Sequence, residues 1–176
     1  MRTLPKTFSI LALAMIGCGE APPTSPAEAR APVLKKAVNA ASSQPELLDA
    51  LRRISARFHS ERQATKHGYV SDGHCVSSPA GGMGVHWVNA SLVDPVFDPL
   101  HPESVNFAPG PNGIPKLVAV EYIVINVGQP APTFGGQAFD VGGTPVPVPH
   151  WSLHVWLWKD NPSGLFAPFN PNVSCP

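Results

Sequence analysis

The hydrophobic pattern changes at Ser43, where apolar residues begin to recur at helical spacing. The apolar face of this segment carries Leu47, Leu48, Leu51, Ile54 and Phe58. The run Ser43-Gln44-Pro45-Glu46 is a capping box with proline in the first turn, and Gly68 is a common kind of helix stop. The pattern therefore predicts one amphipathic helix over about residues 44–67.

After Gly68 the helical period disappears and prolines become frequent, which predicts few, short strands separated by irregular loops. The strongest strand segments are His86–Val93, Lys116–Val127 and His150–Trp158. The second is apolar at almost every position, so both of its faces are expected to be buried, as in a central strand. Its alternation predicts Leu117 on the face of Glu121 and Val118 on the opposite face.

The connections between these strands contribute to the fold prediction. Ser104–Ala108 is expected to pair with the central strand across the turn-rich run Pro109–Gly113. Residues 128–149 form a long Pro/Gly loop ending in a polyproline-like run, and loops of this length are usually functional or disordered. Together these elements predict an α+β fold, with one N-terminal amphipathic helix packed on a small, mostly antiparallel β-sheet or partial barrel with long Pro/Gly loops.

The start of the chain has the layout of a bacterial lipoprotein signal peptide. A basic segment with Arg2 and Lys6 precedes the apolar run Phe8–Gly17, and Cys18 follows as the residue that takes the lipid. The run is too short to cross a bilayer, which needs roughly twenty apolar residues. Cleavage after Ala21, which would release a soluble secreted protein, is the alternative, and both possibilities predict export.

The rest of the predicted organisation follows from the signal peptide at 1–17. Residues 18–42 are rich in Ala, Pro and Ser and poor in large apolar side chains, which predicts a flexible tether before a single domain over 43–176. The domain is then expected to face the periplasm or the exterior, held to a membrane through Cys18. In such an oxidising compartment the remaining cysteines, Cys75 and Cys175, are expected to form a disulfide.

Charge is unevenly distributed along the chain. From Gly68 onward the cations are Lys116 and Lys159, whereas Asp and Glu together occur seven times. This acidic composition excludes nucleic acid as the partner and favours cations as ligands. The helical segment is basic instead, and its Arg and Lys residues are interpreted as solvated surface, with contact to anionic lipid headgroups as the alternative.

Glu121 is the polar residue that most needs an explanation. It lies among apolar residues of the central strand, and an isolated buried charge costs several kcal/mol. Its candidate partners are His154, His86 or an arginine of the helix. The favoured interpretation is a structural polar pair of Glu121 with His154, with His86 capping a loop. The alternative is a divalent metal ion held by His86, Glu121 and His154.

His150 is the candidate fourth ligand or outer group of such a metal site. It shares a strand face with His154, but the two are about 13–14 Å apart on a straight strand. They can bind one ion only if the chain bends near Pro149. Imidazole and carboxylate suit zinc, and Met83 nearby favours copper.

The other chemistry-bearing residues predict no reaction. No hydrolase motif is present, and the serines near histidine lack an orienting partner in the sequence. Trp156 and Trp158, beside the long loop, are expected either in the core or lining an apolar cleft. Four histidines are expected at the surface: His59, His67, His74 and His101.

Three segments of the domain are specific enough to compare with a known family. They are Gly82-Met83-Gly84-Val85-His86-Trp87-Val88-Asn89, Leu117-Val118-Ala119-Val120-Glu121-Tyr122, and the closing stretch from His154-Val155-Trp156-Leu157-Trp158-Lys159 to Asn170-Pro171-Asn172-Val173-Ser174-Cys175. They resemble a family of uncharacterised secreted bacterial proteins and lipoproteins, from about Leu47 to the end. The resemblance implies a domain found in exported proteins, with the three candidate ligands and His150 inside recurrent segments.

We therefore expect an exported cell-envelope lipoprotein whose domain binds a partner protein or a small ligand. A zinc- or copper-binding, metal-dependent envelope protein is the alternative.

Overall fold

The computed structural model describes residues 42–175. The predicted signal peptide, the predicted lipidation site Cys18 and the predicted tether up to residue 41 lie outside the described residues. The helical elements are α1 (Gln44–Ser55), a 3-10 turn (Ala56–Phe58), α2 (Glu61–Lys66) and a second 3-10 turn (Pro111–Gly113). The strands are β1 (Val70–Ser78), β2 (Gly81–Val88), β3 (Ser104–Pro109), β4 (Pro115–Ile125), β5 (Thr133–Phe134), β6 (Gln137–Ala138), β7 (Asp140–Val141) and β8 (His150–Val155).

The fold is α+β, as the sequence predicts. Six strands form one antiparallel sheet in the order β1-β2-β3-β4-β8-β7, curled into a half-barrel, and β5 pairs with β6 in a separate hairpin. Strand β4 is central, and it pairs with β3 across residues 110–114, which confirms the predicted hairpin. Among the described residues, no helix is long and apolar enough to span a membrane.

The prediction of one continuous helix over 44–67 is wrong. The capping box at Ser43 and Glu46 is present, but α1 ends at Ser55. The 3-10 turn that follows leaves Phe58 buried, and Ser60 is extended, with φ −143° and ψ 152°, before α2 begins. The break turns the chain so that both Phe58 and Ala64 reach the core.

One face of the sheet is covered by this helical segment. Leu47 and Leu51 of α1 share a core cluster with Val120 and Tyr122 of β4 and with Leu153 of β8. Burying this apolar stripe against the sheet is the favourable term that holds α1 in place, at about 25 cal/mol per Å² of apolar surface. The side chains on the opposite face of β4 therefore do not contact α1 and pack against other residues.

Both faces of β4 are buried, as predicted, but the alternation has a break near its start. Phe107 of β3 pairs with Leu117, whereas Asn106 pairs with Ala119, so Val118 is an extra residue in the ladder. Such a bulge reverses the direction of the side chains that precede it. Leu117 consequently packs in the same cluster as Val120, on the face opposite to that predicted for it.

The segment that follows β8, residues 156–175, is called the closing segment. It is attached to β2 and β1. Gly82 exchanges backbone hydrogen bonds with Asn170 and also donates to the carbonyl of Val173. A Cβ atom at Gly81 would overlap the carbonyl oxygen of Asn170, so this approach requires glycine. The Cys75–Cys175 disulfide completes the attachment and confirms the predicted pairing.

Three other predictions about the strands need correction. Strand β1 was not foreseen, because Val70–Ser78 lies at an edge of the sheet and is mostly half-exposed or exposed, with no apolar alternation. Strand β8 ends at Val155, before the two later tryptophans. The loop 128–149 is not wholly irregular, since it contains β5, β6 and β7.

Candidate metal centre

Three of the predicted ligands come together on the sheet face that α1 leaves uncovered. His86 belongs to β2, Glu121 to β4 and His154 to β8. Glu121 and His154 are directly opposite each other in the β4–β8 ladder, so their side chains leave the same face. His86 therefore lies within a strand and does not cap a loop.

His86 reaches Glu121 across the intervening strand β3. Two strand spacings amount to roughly 10 Å, which long side chains span only if the residues between them are short. The two β3 residues at this level are Asn106, which pairs with His86, and Ser104, which pairs with Glu121. Both are buried, and Ser104 Oγ donates to Asn106 Oδ1 at 3.3 Å. The β3 side chains thus leave room for His86 to approach Glu121.

The potential ligand atoms are close enough to share one ion. Glu121 Oε2 lies 3.3 Å from His86 Nε2 and 3.8 Å from His154 Nε2. One ligand atom from each residue lies within 4.8 Å of the other two. A tetrahedral ion with bonds of about 2.0–2.1 Å holds its ligand atoms about 3.3–3.4 Å apart. The observed separations are therefore near those that a bound ion requires.

These atoms also make no hydrogen bond of good geometry within the described part of the chain. Glu121 Oε2, His86 Nε2 and His154 Nε2 are buried, and none has a hydrogen-bond partner among the described residues. The other carboxylate oxygen, Glu121 Oε1, accepts a 2.6 Å hydrogen bond from Ser152 Oγ. Since buried polar atoms are nearly always paired, three such atoms converging on one point indicate a missing partner.

The electrostatics of the cluster oppose the effect of burial. Burial by itself would raise the pKa of Glu121, but His154, His86 and the Ser152 hydroxyl lower that pKa to about 2. Burial would lower the pKa of His86, yet Glu121 and, less strongly, Asp72 raise it above its usual value. Burial dominates for His154, whose pKa is lowered although Glu121 opposes the shift. At neutral pH Glu121 is thus an anion and His154 a neutral imidazole, which are the forms that bind metals, whereas the raised pKa of His86 favours a proton that a metal ion must displace.

The two imidazole rings are held in place by their neighbours. The ring of His154 is stacked on Trp156, with centroids 6.2 Å apart, and meets His86 edge-on at 5.9 Å. His86 Nδ1 lies 3.9 Å from Asp72 Oδ2, beyond hydrogen-bond range but close enough for a favourable charge interaction. A carboxylate behind a histidine is a common outer contact of metal sites, because it orients the ring.

His150, the predicted fourth ligand, is not in this group. It pairs with Ile125, four residues along β8 from His154, and its Nδ1 donates to the carbonyl of Val148 at 2.7 Å. Its ring packs so closely on Gly142 that a Cβ atom there would overlap Nε2. The strand does not bend enough to bring His150 to the cluster.

The remaining candidates are not members of the three-residue cluster, although Met83 and Trp156 adjoin it. Met83 is buried and lines a pocket that also contains Glu121 and His154. Trp156 is buried, whereas Trp158 is 38% exposed and packs under the guanidinium of Arg52. The four histidines expected at the surface are all exposed, as predicted: His59, His67, His74 and His101.

Sequence reasoning missed a second buried carboxylate near this site. Glu103 is 1% exposed and accepts a hydrogen bond from the backbone N–H of Ile123. Burial raises the pKa of Glu103 to about 8, and Asp94 and Glu121 add to the shift. Glu103 follows Pro102 and immediately precedes β3. Nothing in the local sequence pattern at this position predicts a buried side chain. Asp72, at the level of His86, was missed because β1 itself was not predicted.

Comparison with protein-family models, with curated proteins and with solved structures gives no significant match for this chain.

Proposed function

We propose that this domain binds a divalent transition-metal ion through His86, Glu121 and His154. The observation that carries the proposal is the convergence of three buried ligand atoms, one from each residue, that have no hydrogen-bond partner among the described residues. A metal ion satisfies all three atoms at once. It also compensates the buried carboxylate, whose isolation would cost several kcal/mol.

A structural ion pair is the competing explanation. A proton on His86 would neutralise Glu121, in keeping with the raised pKa of this histidine. That proton leaves His154 Nε2 without a partner, however, and the 3.3 Å separation from His86 to Glu121 is an ion-pair contact without hydrogen-bond geometry. The metal hypothesis accounts for one more buried atom than the ion pair does.

The ligand set favours zinc. Two imidazoles and one carboxylate form a common catalytic zinc site, in which the fourth position holds water or substrate. Copper is the second candidate, because the thioether of Met83 lines the adjoining pocket. The same set also binds Fe²⁺ in some oxygenases, so this ion belongs among those tested.

The location of the protein is part of the proposal. The Cys75–Cys175 disulfide is typical of oxidising compartments outside the cytoplasm. It supports export, and we propose that Cys18 carries a lipid that anchors the protein in the cell envelope. Labelled fatty acid should be incorporated into the wild-type protein and not into Cys18→Ser. A wild-type protein without label would favour the secreted soluble alternative.

Metal analysis of the purified protein tests the proposed function. After removal of metal with a chelator, titration with Zn²⁺, Cu²⁺ and Fe²⁺ should show one tightly bound ion per chain. Glu121→Ala and His154→Ala should each lower the affinity at least 100-fold. His101→Ala is the matched control, since His101 forms a histidine–carboxylate pair with Asp98 at the surface.

Two further variants separate the hypotheses. His150→Gln should keep one ion per chain, because His150 is outside the cluster. His154→Gln should lose it while remaining folded by circular dichroism. A wild-type protein that binds no ion, or a folded His154→Gln protein that binds it as tightly as wild type, would overturn the proposal in favour of the structural ion pair.

A further inference from the structure

A pocket of about 360 Å³ opens directly beside the candidate metal centre. Two of the three proposed ligands, Glu121 and His154, line it together with Ser152, whereas His86 does not. The metal ligands thus form part of the floor of the pocket. An ion held by the three side chains would lie at this floor, with the third ligand behind it.

The coordination of such an ion is incomplete. Three protein ligands leave at least one position open, even for a four-coordinate metal. Glu121 Oε1 is engaged by Ser152, so this carboxylate binds through Oε2 alone and does not fill the remaining position. Because the described ligand atoms approach from the sheet, the open position faces the pocket. An exogenous molecule can therefore bind the metal without displacing a protein ligand.

The walls of the pocket define the kind of molecule that fits. They are mainly apolar and come from Met83 of β2, from residues 141–144, and from Phe166, Pro168 and Phe169 of the closing segment. The volume lies at the lower end of the range of about 300–1,000 Å³ found for pockets that hold small organic ligands. The occupant is therefore small, with an apolar body of about the size of one aromatic ring.

Charge limits the occupant further. A divalent ion bound by one carboxylate and two neutral imidazoles keeps a net charge of one, which favours a singly anionic oxygen group at the open position. Asp140, which also lines the pocket, disfavours a second negative charge on the same molecule. The pocket thus selects monoanions over dianions.

We propose that the pocket binds a small apolar or aromatic monoanion whose oxygen group completes the coordination of the metal held by His86, Glu121 and His154. This inference rests on the proposed function, since the anion binds through the metal. It assigns a ligand class to the pocket and gives roles to Phe169 and Asp140 that metal binding alone does not require.

Cobalt-substituted full-length protein provides the test, because the visible spectrum of Co²⁺ reports its coordination. Benzohydroxamate should change the spectrum and bind about tenfold more tightly than acetohydroxamate, since only the former has a ring to bury against the apolar walls. Phe169→Ala should remove most of this preference, because it weakens benzohydroxamate binding much more than acetohydroxamate binding. Val96→Ala is the matched control, because Val96 is 67% exposed and does not line the pocket.

A second comparison examines the role of charge. A benzohydroxamate carrying a para-carboxylate should bind at least fivefold more weakly than benzohydroxamate itself. Asp140→Asn should remove most of that difference, because it takes away the opposing carboxylate. Retention of cobalt after gel filtration shows that the hydroxamates bind the protein-held ion and do not extract it.

The outcomes separate the inference from the function on which it rests. If the protein binds Co²⁺ but its spectrum does not respond to either hydroxamate, or if Phe169→Ala keeps the full preference for the aromatic ligand, the pocket inference is wrong and metal binding stands. Extraction of the cobalt by the hydroxamates also counts against the pocket inference. If neither Co²⁺ nor Zn²⁺ binds, both proposals are wrong; if only Zn²⁺ binds, metal binding stands and the two hydroxamates are compared on the zinc protein by calorimetry.

Discussion

Ser152 Oγ donates a 2.6 Å hydrogen bond to Glu121 Oε1, and Glu121 Oε2 is left to face two imidazoles. This single contact decides which carboxylate oxygen is available as a ligand. Both residues are on the same face of adjacent strands, since Glu121 pairs with His154 and Ser152 lies two residues before it on β8. A carboxylate oriented in this way loses less conformational freedom when it binds an ion.

Removal of the Ser152 hydroxyl should therefore weaken metal binding without abolishing it. In Ser152→Ala, Glu121 Oε1 loses its partner and the carboxylate can rotate, so Zn²⁺ affinity is expected to fall about 10–100-fold. Titration against a chelator of known affinity measures this change. Ser104→Ala is the control, because the Ser104 hydroxyl bonds to Asn106 rather than to Glu121. Equal losses in the two variants would contradict the orienting role.

Glu103 makes the folded protein less stable as the pH rises. Its pKa is raised by burial to about 8 from an ordinary value of 4.5, so the folded state keeps a proton that the unfolded state releases. The stabilising contribution of that proton is complete below about pH 4.5 and is lost progressively between about pH 4.5 and pH 8. In Glu103→Gln, the free energy of unfolding relative to wild type should increase over this range by a few kcal/mol.

Urea unfolding at a series of pH values measures this difference, and comparison with wild type cancels the contributions of the other titrating groups. The Gln side chain can still accept the hydrogen bond from the Ile123 N–H through its amide oxygen. Glu61→Gln, on α2, is the control. A difference between Glu103→Gln and wild type that does not change with pH would show that the pKa of Glu103 is the same in the folded and unfolded protein.

Gly81 and Gly73 allow the effect of a steric overlap to be separated from that of backbone strain. Both have positive φ, +122° and +74°, which an L-residue adopts only at a cost of about 1–2 kcal/mol. A Cβ atom at Gly81 would also overlap the carbonyl of Asn170, whereas at Gly73 nothing lies within 4 Å. Gly81→Ala should therefore be less stable than Gly73→Ala by at least about 2 kcal/mol, mainly because the closing segment is displaced.

Differential scanning calorimetry of the two variants checks this expectation. Because the closing segment carries Phe166 and Phe169, Gly81→Ala should also lose affinity for aromatic pocket ligands, and Gly73→Ala should not. Equal melting temperatures would mean that the closing segment shifts at no cost.

The disulfide should contribute substantially to stability. It joins residues 100 positions apart in the chain, and the chain-entropy model gives about 4–5 kcal/mol for a loop of this length. The double variant Cys75→Ser/Cys175→Ser should have a free energy of unfolding lower by that amount in denaturant titrations. Its stability should be insensitive to reductant, whereas wild type should approach that of the variant when reduced. If reductant also lowers the stability of the double variant, the loss of stability in reduced wild type has a cause other than the Cys75–Cys175 disulfide.

The sequence predicts those site residues that a pattern within one strand identifies, and it does not predict how separate strands are arranged. Glu121 was identified because a single polar residue interrupts an apolar strand, and His154 because its strand alternates. His86 joins this pair because of the strand order. Strand β3 lies between β2 and β4, and its short side chains let His86 reach Glu121. Strand order is set by packing of residues distant in sequence, so the pattern of any one segment does not reveal it.

The helical segment shows the same limit at a smaller scale. Leu47 and Leu51 were correctly placed on the apolar face, because their spacing is local. The break after Ser55 was missed, although Ser60-Glu61-Arg62-Gln63 has the sequence of a second capping box. Tertiary packing of Phe58 favours the break, and the continuous helical period concealed it.

Because Glu121 stands opposite His154 in the β4–β8 ladder, the proposed metal binding would depend on the alignment of the two strands. A shift of one residue would turn His154 toward the core and bring an aliphatic side chain into its place. His86, two strands away, imposes the same requirement on the alignment of β2 and β3. An ion at this position would therefore bind only the native arrangement, discriminate against misaligned chains during folding, and raise the stability of correctly paired molecules in proportion to the logarithm of its free concentration.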